Sequence, residues 1–327
     1  MIALIQITPW HWAGFILCVL VFLAMDLGLF HRRARVIKFK EALAWSALWF
    51  ALAMLFAASL VFWRDREEAV QFTAGYLIEL SLSLDNILVI ALIFAWFRVP
   101  LEFQHRVLFW GILGALVMRG AMIAVGATLI HRFDWVLYVF GGFLVLAGAK
   151  MFFSSKEAVQ PDKNLLLRLA KKVFLVAPDF DGPKFFTRIN ARRALTPLAL
   201  VLLLIETTDL IFAVDSVPAV FSVTQKAFIV FTSNVFAVLG LRSMYFLLAG
   251  ALGCFRYLKI GLSVVLVFIG VKMLLDPHGH EPAWFQIEIS TTVSLLVVAM
   301  ILSISITLSV IAAQRENKPR KDTNGHG

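Results

Sequence analysis

The sequence predicts an all-α polytopic membrane protein of about nine transmembrane helices, in which spans 3–5 and 6–8 form an inverted three-helix repeat. Three observations predict it. First, 61% of the 327 residues are hydrophobic and only 16% charged, against about 25% charged in a soluble domain. Second, continuous apolar runs of about 20 residues, enough for a helix to cross a bilayer, recur about nine times. Third, the few charges inside those runs occur twice in the same order. The composition excludes a soluble enzyme and a disordered chain. Runs that do not alternate polar and apolar residues argue against a transmembrane β-barrel. The two cysteines, Cys18 and Cys254, offer no disulfide scaffold and no metal or redox spacing.

The spans fall at 11–30, 42–63, 72–97, 107–130, 135–153, 198–221, 228–251, 257–275 and 289–312. Span 1 has no Lys or Arg before it and Arg32, Arg33 and Arg35 after it. This is the reverse of a signal peptide, so span 1 is expected to remain as an anchor. Span 3 carries Glu79 and Asp85, span 4 Arg119, and span 5 ends on Gly148-Ala149-Lys150-Met151. Span 6 carries Glu206, Asp209 and Asp215, span 7 Arg242, and span 8 ends on Gly270-Val271-Lys272-Met273. Each acidic helix holds two acids six residues apart, Glu79 with Asp85 and Asp209 with Asp215. A unit of three spans is odd, so the second copy enters the membrane from the opposite face, as in many secondary transporters. The chain then divides into spans 1–2 (1–71), the first repeat (72–153), a basic loop (154–197), the second repeat (198–275), and an outer loop, span 9 and tail (276–327).

With the N-terminus outside, 22 of the 30 Lys and Arg fall in inside segments and four in outside loops, Arg64, Arg66, Arg132 and Lys226. This positive-inside asymmetry predicts a cytoplasmic C-terminus. It assigns the net charge of +9 to loops facing anionic lipid rather than to nucleic acid. The basic loop 154–197 reads as solvated surface, too small for a catalytic domain.

Six acids lie inside spans: Asp26, Glu79, Asp85, Glu206, Asp209 and Asp215. Each ionised group at mid-membrane costs about 2.5–3.5 kcal/mol on the insertion scale. Arg119 and Arg242 offset two of the five acids in spans 3 and 6, and a cation, protons or both would neutralise the rest. Asp26, near the end of span 1, is either a group reaching water or a gate or supporting member of the site. Lys150 and Lys272, near span ends, are expected to snorkel. Acids six positions apart lie about 240° apart around a helix. A kink or break near Asp215, ahead of Pro218, is therefore expected to bring them together. Asn86, Ser216 and Asn234 add oxygen donors, with no His or Cys nearby. That donor set suits Mg²⁺, Ca²⁺ or Mn²⁺ rather than Zn²⁺ or Cu⁺. The plainer reading is that the acids only bridge the arginines and hold helices together. The absence of a Walker-type motif and of a Ser-His-Asp order argues against an ATP-driven pump or an enzyme.

These residues resemble the TerC family of integral membrane proteins and its Alx-like members. The matching stretches are Asp26-Leu27-Gly28-Leu29-Phe30-His31-Arg32, Gly75 through Asn86, Asp179-Phe180-Asp181-Gly182, Glu206 through Ala219, and Thr232 through Arg242. The resemblance implies a bacterial inner-membrane protein of metal homeostasis, with manganese export the leading role. Tellurite resistance or redox modulation of other membrane or secreted proteins is the alternative. Exporting a divalent cation against an inside-negative potential costs about 4.6 kcal/mol per 100 mV, twice the single-charge value. Proton antiport is the simplest coupling. Asp85 and Asp215 are then expected as primary ligands. Glu79, Glu206 and Asp209 are ligands or proton carriers, and Arg119 and Arg242 counter-charges. Expected partners are the cation, protons, lipid and either a second copy or other membrane proteins. No tightly bound cofactor is expected.

Overall fold

The structure, a computed structural model, describes residues 7–30, 39–153, 164–189, 192–248, 258–276, 286–287 and 289–316. Its helices are α1 (Pro9–Phe30), α2 (Phe39–Trp63), α3 (Arg66–Trp96), α4 (Leu101–Arg132), α5 (Trp135–Phe153), α6 (Leu165–Val173), α7 (Pro197–Phe221), α8 (Ala227–Leu248), α9 (Leu258–Leu275) and α10 (Thr291–Glu316). Among the described residues, eight helices, α2–α5 and α7–α10, are long and apolar enough to cross a membrane, and α1 is a shorter apolar helix over Pro9–Met25. The chain is a polytopic membrane protein, nearly all helical.

Local chemistry extends two helices beyond their apolar runs. Helix α3 begins at Arg66, six residues before the apolar run at 72, because Asp65 caps it. The Asp65 carboxylate accepts from the Glu68 N–H at 2.6 Å, with Glu67 and Glu68 in the first turn. Its 31 residues reach about 46 Å at 1.5 Å per residue, well past a hydrocarbon core of about 30 Å. Helix α4 likewise starts early, at Leu101 behind Pro100. Helix α8 is the central rod, buried from Phe228 to Tyr245 on nearly every side. The outer helices present Leu17, Leu20, Leu55, Leu146 and Leu296 outward, as lipid-facing surfaces do. His11 of α1 stacks on Trp63 at 5.5 Å, which sets the start of α1 beside the end of α2.

The two repeats pack reciprocally. Helix α3 lies against α8 and α7 against α4, while α5 pairs with α9, α3 with α7 and α4 with α8. Exchanging α3–α5 for α7–α9 leaves this scheme unchanged. The α5–α9 seam shows it at atomic detail. A Cβ added to Gly141 would meet the Gly270 carbonyl at 3.0 Å, and one added to Gly148 would meet the Ser263 carbonyl at 2.8 Å. Moving forward from Gly141 to Gly148 moves the partner backward from Gly270 to Ser263, so the helices are antiparallel. In the Gly-x-Lys-Met register, Gly141 and Gly148 correspond to Ser263 and Gly270. Small residues are what allow such close backbone approach in a membrane.

A paired prediction follows from this seam. Gly270→Ala places a Cβ 2.7 Å from the Gly141 carbonyl and 2.8 Å from the Val145 nitrogen, both rigid backbone. We expect a loss of about 1–3 kcal/mol by overpacking. Gly142→Ala meets nothing within 4 Å and is expected to be neutral or slightly stabilising. Thermal melting of the detergent-purified variants by size exclusion distinguishes the two.

The basic loop is more ordered than a solvated connection. It holds α6 and a three-stranded sheet, β1 (Leu175–Val176), β2 (Phe186–Ile189) and β3 (Arg192–Leu195), in the order β1-β3-β2. β2 runs antiparallel to β3 with Phe186 opposite Leu195, and β1 runs parallel to β3. The Asp179–Gly182 stretch is its turn. Gly182 has φ +56°, a left-handed conformation natural to glycine. Thr187 Oγ1 donates to Asp181 at 2.8 Å and Lys184 Nζ at 3.2 Å. The Thr187 hydrogen bond, with Lys184 beside it, holds the Asp181 carboxyl below its usual range. Phe180 packs on Phe103, and the Arg106 guanidinium lies 5.4 Å over the Phe185 ring. These contacts pin the small subdomain to the first turns of α4. Thr196 then caps α7, accepting from the Ala199 N–H at 3.4 Å while donating to the Lys184 carbonyl at 2.7 Å.

Candidate functional site

Arg119 is the largest wholly buried side chain among the described residues. It sits midway along α4, where a lone guanidinium in hydrocarbon would be prohibitive. Two helices, α3 and α7, supply its partners. Glu79 of α3 forms an ion pair with Nη1. Asp209 of α7 accepts twice, from Nη2 at 2.9 Å and Nε at 3.1 Å. This is the bidentate fork that makes arginine–carboxylate pairs strong and directional. Nη1 also reaches Ser216 Oγ at 3.5 Å, and Asn86 Nδ2 donates to Asp209 at 3.4 Å.

The pairing follows the repeat. Glu79 and Asp209 are the first acids of the two motifs, and Asn86 and Ser216 each follow the second acid. Arg119 therefore bridges equivalent positions of the two halves. Glu206 lies one turn before Asp209, within its electrostatic reach. Its carboxylate fills the space where Gly114 of α4 lacks a side chain. Two carboxylates, Glu79 and Asp209, thus share the Arg119 guanidinium, and Glu206 lies one turn from Asp209. Glu79 Oε2, Asn86 Oδ1 and Glu206 Oε2 are buried acceptors with no hydrogen-bond partner among the described residues, each a sizeable penalty if left so.

The second acids lie elsewhere. Asp85 and Asp215 are half-buried. Asp85 interacts with Lys259 of α9 and Asp215 with Lys150 of α5. Each outer acid therefore faces a lysine of the opposite repeat. The expected break near Asp215 is absent: α7 runs through Pro218 as one helix, and α3 is continuous too. Membrane helices tolerate proline where neighbouring groups take over the lost bond. With both helices intact, the 240° separation holds, and each helix aims one acid at Arg119 and one away. Among the described residues, no three His, Cys, Asp or Glu side chains gather as a metal-holding group.

Arg242 is buried in α8 and lines a cavity of about 30 Å³ with Asn86, Thr208, Asp209, Phe212 and Leu241, room for about one or two water molecules. The second arginine thus approaches the Asp209 side of the site from another helix. Asn234 is buried in α8, and its Nδ2 has no hydrogen-bond partner among the described residues. Asp26 falls in α1, but its side chain is outside the described residues. Lys150 is exposed. Lys272 does not snorkel: it is buried, donates to the Ser222 carbonyl at 3.5 Å and pairs with Asp276 at 3.7 Å.

Two features escaped the sequence. Gly114 makes room for Glu206, and its only trace is the Gly111/Gly114 pair one to two turns before Arg119. Glu68, near the start of α3, is wholly buried between Arg64 and Lys226, both at 2.7 Å. It ties that end of α3 to the α7–α8 turn.

The profile of the integral membrane protein TerC family matches residues 64–317. The chain belongs to the TerC family. The match takes in α3 through α10 and so contains Arg119, Glu79, Asp209, Glu206 and both outer acids. Relatives extend the likeness over nearly the full length. An uncharacterized membrane protein of Myxococcus xanthus is 51% identical over 308 residues, 94% of each chain. Proteins of Shigella flexneri and Escherichia coli K12, each named as a candidate membrane-bound redox modulator, Alx, are 44% identical over 305 residues. Those alignments cover 90% of this TerC-family chain and 95% and 94% of the relatives. No solved structure matches the chain.

Proposed function

We propose that this TerC-family protein is a secondary transporter of a bacterial inner membrane that exports a divalent cation, manganese foremost, in exchange for protons. The observation that carries the reading is Arg119 held between equivalent acids of two inverted repeats, with Glu206 close to Asp209 and orphaned acceptor oxygens on Glu79, Asn86 and Glu206. A purely structural salt bridge needs one acid for one arginine. Here the negative charge is in excess, and protons or a cation would complete it.

In this reading Arg119 is a tethered cation that occupies Glu79 and Asp209 when no ion is bound. An arriving cation competes for the same carboxylates, with Asn86 and Ser216 as neutral oxygen donors. The all-oxygen set favours hard ions over Zn²⁺ or Cu⁺. Asp85 and Asp215, outside the Arg119 cluster, are the flanking ligands on the path. Glu206 is one carrier of the exchanged protons, with Glu79 and Asp209 as ligands or further carriers. Inverted repeats generate the opposite-facing state by exchanging roles, so Arg242 takes the place of Arg119 there, with Glu79 as its first partner. The N-terminus lies outside, and the basic subdomain faces the cytoplasm. The reading calls for no enzyme activity and no resident cofactor. Expression in cells stripped of other manganese exporters should lower cell manganese, measured by elemental analysis after a manganese load. Unchanged manganese with normal protein levels would remove the proposal.

The relatives' name favours one second reading, a redox modulator acting on other membrane proteins. Cys18 is exposed on α1, and Cys254 lies outside the described residues. A thiol mechanism requires one of them, whereas cation exchange requires neither. We expect Cys18→Ser with Cys254→Ser to retain full manganese efflux, and loss of efflux would favour the thiol reading.

A further inference from the structure

The subdomain over 164–196 carries seven basic residues against two acidic ones, Asp179 and Asp181. It also exposes large apolar side chains: Leu169, Val173, Phe174, Leu175 and Phe186 are between 49% and 65% exposed. On α6, Leu169 and Val173 are four residues apart and share one stripe, while Arg168, Lys171 and Lys172 occupy the other arc. Leu167, between them on the third side, is buried, and α6 lies against α7. Phe174 and Phe186 continue the apolar stripe onto an open groove of about 630 Å³ whose walls include Lys184, Arg188 and Arg193.

Basic and apolar surfaces side by side on a short helix are the pattern of segments lying in the bilayer interface. A nucleic-acid surface would need the charge without the exposed leucine and phenylalanine. The subdomain is also held at membrane level from two sides. Thr196 leads directly into the membrane helix α7, and Phe180 and Phe185 are fixed to Phe103 and Arg106 at the start of α4.

We propose that this subdomain docks on anionic phospholipid, its apolar stripe in the acyl–headgroup boundary and its arginines and lysines on lipid phosphates. The surface owes nothing to the transport reading and stands or falls separately. Anionic headgroups attract juxtamembrane basic residues at about 1 kcal/mol each, so lipid charge should govern how deeply the stripe sits.

The test uses the full chain with Cys18→Ser and Cys254→Ser, reconstituted in vesicles. Single cysteines at Leu169→Cys and, separately, Phe186→Cys carry a bimane label, with Asp179→Cys as the exposed control. Vesicles of phosphatidylcholine alone are compared with vesicles containing one-third phosphatidylglycerol. In the latter, we expect shallow nitroxide lipids to quench the labels at 169 and 186 at least twofold more than the label at 179. Iodide should quench them at least twofold less. Replacing Arg168, Lys171 and Lys172 by Gln should abolish the difference between the two lipids. Equal iodide access at all three positions would overturn the proposal. So would shielding that is identical in both lipids, or that grows with protein density and so reports a second copy.

Discussion

Arg119→Ala is expected to be the most damaging single substitution in the bundle. It strips Glu79 and Asp209 of their guanidinium and leaves both buried between α3, α4 and α7. Breaking a buried pair by removing one partner typically costs about 3–5 kcal/mol, a large share of the stability of any single chain. Thermal melting in detergent should show a steep loss and reduced membrane yield. The cost is electrostatic, so removing the orphaned charges should reverse it. Arg119→Ala combined with Glu79→Gln and Asp209→Asn should recover much of the stability while transporting nothing. A triple variant no more stable than Arg119→Ala would mean that packing, not charge, sets the cost.

Asp85→Asn and Asp215→Asn should behave in the opposite way. Both acids are half-buried and lie apart from Arg119, facing Lys259 and Lys150. Neutralising either leaves the α3–α4–α7 cluster intact, so insertion and melting should barely change. Losing one charged ligand removes about 1.5–3 kcal/mol, or roughly ten- to hundredfold in apparent affinity for the ion. Manganese efflux at limiting ion should fall accordingly, with both variants still present at normal levels in the membrane. Unchanged efflux in both would remove these residues from the path and leave only the Arg119 cluster.

Much of this architecture is legible in the sequence because membrane helices declare themselves by apolar length, and because charge inside a bilayer is too costly to be incidental. The repeated charge pattern is readable for the same reason: Arg119, Arg242 and the two Gly-x-Lys-Met ends stand out against apolar background, and the reciprocal packing of α3–α5 and α7–α9 is in keeping with it. The helix ends at Arg66 and Leu101 are not readable from hydropathy, since the Asp65 side-chain cap and the N-cap position of Pro100 lie beyond the apolar runs. Periodicity puts Glu79 and Asp85 on different sides of one helix, and in the structure they meet different partners, Arg119 and Lys259. The expectation that a break would cancel that separation overrated Pro218, whose lost bond a packed membrane helix absorbs. The small sheet was hidden because its aromatic anchors, Phe180 and Phe185, bind residues some 80 positions away. The cavity beside Arg242 and the niche at Gly114 arise only from tertiary contact. Lys272 stays buried instead of snorkelling because its partners, Ser222 and Asp276, lie within reach at the same end of the bundle.

The central claim is that the excess acids at Arg119 move a divalent cation against protons. Purified protein in sealed vesicles holding a manganese-sensitive dye tests it most directly, with a pH gradient imposed or absent. The account predicts manganese flux well above protein-free vesicles, accelerated by an opposing proton gradient, accompanied by counter-movement of protons and sharply reduced at limiting manganese in Asp85→Asn. Flux no greater than in protein-free vesicles under either condition would contradict it.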